Sequence, residues 1–96
     1  MLTIEEIRKT VTKVGKRYGI KNAYLFGSYA KGEATEDSDV DIIIDKGDLE
    51  SYNAYCALKF SIEDELGTNV DVLTTEGVKP RFFELIENDR ILLYGA

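Results

Sequence analysis

Ile4, Ile7, Val11, Val14 and Tyr18 recur at spacings of three and four, the period of a helix that turns one apolar face inward. Thr3 followed by Glu6 is a capping box at its start, and Gly19 ends it. Asn22 to Phe26 is a short run rich in aromatic and apolar residues, which predicts a strand stopping at Gly27. Tyr29-Ala30-Lys31 suits a short helical turn before Gly32, and the acidic stretch Glu33 to Ser38 has no periodicity and reads as loop. Val40 to Ile44 is a β-branched strand. Asp48 or Ser51 then caps a second helix whose stripe is Tyr55, Leu58, Ile62 and Leu66 and whose end is Gly67. Val70 to Leu73 is a further strand. Pro80, tolerated in a first helical turn, opens a third long helix carrying Phe82, Phe83, Leu85 and Ile86, and Ile91 to Tyr94 adds an edge strand. Helices alternating with strands in this order predict an α/β (α+β) domain, a small mixed β-sheet with helices packed on it.

Length changes little in that picture. The 96 residues suit a single domain over 1–96, with no repeat, low-complexity tract or linker. Charge narrows the partners: 18 acidic against 12 basic residues give a net charge of −6, and no cluster of Lys and Arg stands out, so a nucleic-acid backbone is not the expected ligand. A nucleotide delivered with divalent cations remains compatible. The lone cysteine, Cys56, excludes an internal disulfide and is expected as a small core residue in a reducing compartment. Met1-Leu2-Thr3-Ile4-Glu5-Glu6 has acids where a secretory signal carries positive charge, so a cytoplasmic location is expected. The absence of histidine excludes His-dependent hydrolysis and His-ligated zinc.

Candidate chemistry lies in the acids. Asp39 and Asp41 are two apart at a strand, so their carboxylates project to the same side about 6–7 Å apart. Magnesium favours hard oxygen ligands and uses a few carboxylates together with substrate phosphates. Asp71, in Val70-Asp71-Val72-Leu73, has the same alternation, and adjacency of the two strands would bring three carboxylates together. Acids on a strand ordinarily line a solvated face. Here Ile43 shares the parity of Asp39 and Asp41, so that face turns apolar further along, and like charges at its margin are unfavourable without a cation. Asp37, Asp39 and Asp41 imitate the start of an EF-hand, but Ile42 and Asp48 stand where its glycine and glutamate belong.

Gly27-Ser28 after the first strand suits phosphate: glycine admits close approach of backbone, and the hydroxyl can bond a phosphate oxygen. Gly27 to Gly32 also has the glycine spacing of a Walker A loop, yet Glu33-Ala34 replace its lysine and hydroxyl residue. Gly-Ser, ten intervening residues and Asp-x-Asp are more informative jointly than apart. The string GSYAKGEATEDSDVDIII resembles the signature of the DNA polymerase β-like nucleotidyltransferase superfamily, in particular its minimal, MNT-type members. Asp71 matches the family's third acid. Lys31, where relatives often carry Arg, keeps the charge but loses bidentate geometry.

The resemblance implies that Asp39, Asp41 and Asp71 are catalytic residues that bind Mg2+, with Asp71 completing the nucleophile-side metal site or acting as base. It implies that Gly27 and Ser28 hold the phosphates of ATP, the nucleotide donor, and that a hydroxyl attacks the α-phosphorus while pyrophosphate leaves. So short a chain is expected to lack an acceptor domain, so the acceptor is expected as a partner. Minimal proteins of this kind are similar to antitoxins of HEPN/MNT toxin–antitoxin pairs, which implies a HEPN-type toxin as partner, adenylylated on a tyrosine or, alternatively, neutralised by occlusion alone. Tyr24, Phe26, Tyr55, Phe82 and Phe83 are expected in the core. Tyr29 and Tyr52 are left open.

Overall fold

A computed structural model describes residues 1–95. Helix α1 spans Ile4–Tyr18, and Thr3 accepts the Glu6 N–H at 3.1 Å while Gly19, at φ 72°, closes the other end. Strand β1 (Asn22–Phe26) runs directly into the five-residue helix α2 (Gly27–Lys31). After a loop come β2 (Val40–Asp45), α3 (Tyr52–Leu66) and β3 (Val70–Thr74). A 3-10 turn over Thr75–Gly77, α4 (Pro80–Ile86) and β4 (Ile91–Tyr94) complete the fold.

The sheet order is β3-β2-β1-β4, with β1 antiparallel to both β2 and β4 and β2 parallel to β3, so the expected mixed sheet is present. Alternation sorts its two faces. Ala23, Leu25, Val40, Ile42, Ile44, Val70 and Val72 face α1 and α3 and join Ile7, Val11, Val14, Leu58 and Ile62 in one buried core. The long β-branched run is explained by β2 lying between two strands and being covered on both sides: Ile43, on the opposite face, is only 1% exposed. On that face α4 contributes Phe82, which meets Phe26 edge-on at 5.3 Å, and the buried Ile86. Among the described residues no helix is long and apolar enough to cross a membrane.

Two open local readings are decided and two expectations change. Ser51, not Asp48, caps α3, accepting the Ala54 N–H at 3.0 Å, while the Asp48 N–H donates to Gly19 C=O at 2.9 Å and ties two turns together. The helix opened by Pro80 is short, seven residues, and Leu85 projects outward at 68% exposed. Glu87-Asn88-Asp89 include poor helix formers, and the Asp89 and Arg90 N–H groups close onto the Ile86 carbonyl as a turn. Cys56 is half-exposed on α3 rather than interior. Tyr29, left open, is buried and anchors α2 in the core.

Ile42→Ala is expected to cost about 2–5 kcal/mol in denaturant unfolding, as removal of a buried branched side chain does. Leu85→Ala, at an exposed site, is expected to change stability by no more than about 0.5 kcal/mol.

Candidate active site

The register of the sheet brings the chemistry together. Asp41 on β2 is paired with Phe26 on β1 and with Asp71 on β3, and residues so paired share one face. The next row on that face is Tyr24, Ile43 and Leu73. The two carboxylates thus sit at the end of a ribbon that becomes apolar immediately beyond them. Phe26, expected only as core packing, is half-buried beside Asp41 with Phe82 against it, and forms the apolar flank of the acidic pair. Its antiparallel pairing with Asp41, which no residue spacing reveals, is what gives it this place.

Crowding raises the affinity of Asp41 for a proton. Burial, then the charge of Asp71 and a hydrogen bond with it, then the charge of Asp39, lift the Asp41 carboxyl from 3.8 to about 6. Asp71 is more exposed, on the outermost strand. Asp39 lies one residue before β2, exposed and outside the ladder. Consequently Asp41 and Asp71 form the close pair, and among the described residues no set of three acidic, histidine or cysteine side chains is gathered tightly enough to hold an ion alone. An all-oxygen carboxylate pair under mutual repulsion fits magnesium, which completes its shell with waters and substrate phosphates.

Gly27 is bound to this arrangement by two constraints. Its φ of +73° is a conformation that side chains disfavour, and a Cβ there would lie 2.3 Å from an Asp41 carboxylate oxygen. Glycine therefore lets Asp41 rest over the start of α2. Ser28, half-buried, follows at once, and Lys31 is exposed in the last turn of α2. The loop leading to Asp39 is shaped by Ser38, whose hydroxyl accepts the Thr35 N–H at 2.8 Å. The Val40 N–H donates to Asn69 C=O at 3.1 Å, so the segments preceding the two acidic strands are tied together.

Residues 6–96 match the family described as Polymerase beta, Nucleotidyltransferase. The chain is 39% identical over 83 residues to protein adenylyltransferase MntA of Thermococcus cleftensis, spanning 82% of this chain and 84% of that one. A solved structure provisionally described as a minimal nucleotidyltransferase superposes with a TM-score of 0.81 at 31% identity, covering 94% of this chain and 95% of the other. A Shewanella oneidensis complex of a tri-AMPylated HEPN toxin with an MNT antitoxin contains a chain of the same fold, with a TM-score of 0.74 at 19% identity over 98% of this chain and 74% of that one.

Because the folded chain raises the Asp41 pKa, it holds that proton more tightly than the unfolded chain does. The associated stability is present below about 3.8 and lost as pH rises through about 6. Without divalent cations, Asp41→Asn is therefore expected to raise the melting temperature at pH 7.5, on the order of 2–5 °C for a domain this small. The advantage should shrink towards pH 4, as differential scanning fluorimetry across pH will show.

Proposed function

The chain belongs to the polymerase β nucleotidyltransferase family, and from that premise we propose that it transfers AMP from ATP to a hydroxyl, a tyrosine in particular, of a HEPN-type toxin and so acts as its antitoxin. The observation that carries this reading is the in-register pairing of Asp41 with Asp71 beside Gly27. Like charges held together at an apolar margin destabilise the free protein, and a divalent cation arriving with a nucleotide offsets that cost.

In this reading Asp39 and Asp41 hold Mg2+, Asp71 completes the acceptor-side site, and the backbone at Gly27 with the Ser28 hydroxyl receives the phosphates. Bound Mg2+ supplies charge neutralisation on the entering and leaving oxygens. The acceptor oxygen bonds to the α-phosphorus, the bond from that phosphorus to pyrophosphate breaks, and the hydroxyl proton passes to the Asp71 carboxylate. Phe26 and Phe82 keep one flank of the pair dry, which strengthens each electrostatic contact there. The adenylyl chemistry is supported by the name of the Thermococcus relative, and the toxin partner by the description of the Shewanella complex.

Mass spectrometry of a HEPN-type toxin co-expressed with this chain is expected to show one or more added adenylyl groups on tyrosine. The Asp39→Asn, Asp41→Asn double variant should reduce transfer on the order of a thousandfold, since metal stabilisation is worth several kcal/mol and each 1.4 is tenfold. Neutralisation of an unmodified toxin would instead favour simple occlusion, and undiminished transfer by the double variant would remove these acids from the mechanism.

A further inference from the structure

Asp71 differs from Asp41 in one mechanical respect. Asp41 sits on a strand held from both sides, whereas β3 is the edge of the sheet and has β2 as its only neighbouring strand. Edge strands carry a row of unpartnered backbone groups and are the first part of a sheet to loosen. On β3, alternation turns the backbone groups of Val70 and Val72 outward, away from β2, on either side of Asp71.

Both sides are fastened by α3. The Glu63 carboxylate accepts the Val70 N–H at 3.0 Å, and the Tyr55 hydroxyl donates to the Val72 carbonyl. These side chains stand eight residues apart on a helix capped at both ends by Ser51 and Gly67 and seated in the core by Leu58 and Ile62. Their hydrogen bonds bracket the one acid whose strand would otherwise be free on its outer side.

We infer that Tyr55 and Glu63 are positioning residues for Asp71: they clamp β3 from outside and thereby fix the Asp71 carboxylate against Asp41. The inference rests on the reading of Asp71 as part of the metal site. A hydroxyl and a carboxylate that merely satisfied backbone groups would contribute to stability and leave ion binding untouched. A clamp controls ion binding, because partners that orient metal ligands typically change affinity by about 10–100-fold when lost.

The test is Mn2+ binding followed by electron paramagnetic resonance, in the presence of a non-hydrolysable ATP analogue, with the whole chain. Tyr55→Phe and Glu63→Ala are each expected to weaken, by about tenfold or more, the same binding step that Asp71→Asn weakens. Glu63→Gln, which keeps a carbonyl acceptor for Val70, should restore most of the affinity. In an Asp71→Asn background, Tyr55→Phe should add nothing further. Hydrogen exchange without metal should show faster exchange of the Val70 amide in Glu63→Ala. Val14→Ala, in the core of α1, is expected to lose thermal stability yet keep its Mn2+ affinity. Clamp variants that melt earlier but bind Mn2+ as the wild type does would overturn the inference. If the Asp39→Asn, Asp41→Asn variant also bound Mn2+ and the analogue normally, the metal-site reading itself would fall, a distinct outcome.

Discussion

Asp41 and Asp71 are pressed together by the parallel register of β2 and β3, and neither strand can relieve the contact without changing that register. A slip of one residue in either strand would turn Ile42 or Val72 away from the core, so the hydrophobic effect on one face of the sheet enforces electrostatic strain on the other. Desolvation beside the apolar row of Tyr24, Ile43 and Leu73 is the larger cause and the charge of Asp71 the next, and the Asp41 carboxyl responds by holding its proton up to about 6. The glycine at position 27 belongs to the same constraint, since the Asp41 carboxylate occupies the space that any Cβ there would need.

The sheet accordingly works as a partition. Its inner face, with α1 and α3, supplies the packing that makes so small a domain stable, while its outer face, partly covered by α4, keeps an acidic end and an aromatic flank. α3 serves both the core and the edge of the sheet: Leu58 and Ile62 bury themselves within, and Tyr55 and Glu63 reach the edge of β3. Stability and the alignment of the acids are therefore borne by one helix.

Much of this is legible in the amino-acid sequence. The capping Thr3, the stripe ending at Gly67 and the β-branched run from Val40 each rest on local chemistry, which a sequence displays directly. The resemblance carried by Gly27-Ser28, Asp39 and Asp41, with Asp71 beyond, likewise implied a nucleotidyltransferase, and the match over residues 6–96 agrees with it. What stayed hidden depends on pairing across the sheet. Phe26 and Tyr55 look like ordinary core aromatics, and nothing in the sequence singles out Glu63, until β1 is laid antiparallel to β2 and β3 is found at an edge. The short α4 and the outward Leu85 were missed because apolar composition suggested a helix longer than the turn at Ile86 permits.

In the proposed reading the Asp41–Asp71 pair is a cation site completed by a nucleotide. Anomalous scattering from crystals grown with Mn2+ and a non-hydrolysable ATP analogue tests it most directly. A manganese peak is expected in contact with the Asp41 carboxylate, between Asp71 and phosphates resting on Gly27-Ser28. A nucleotide bound elsewhere, or bound there with no metal peak at Asp41, would contradict it.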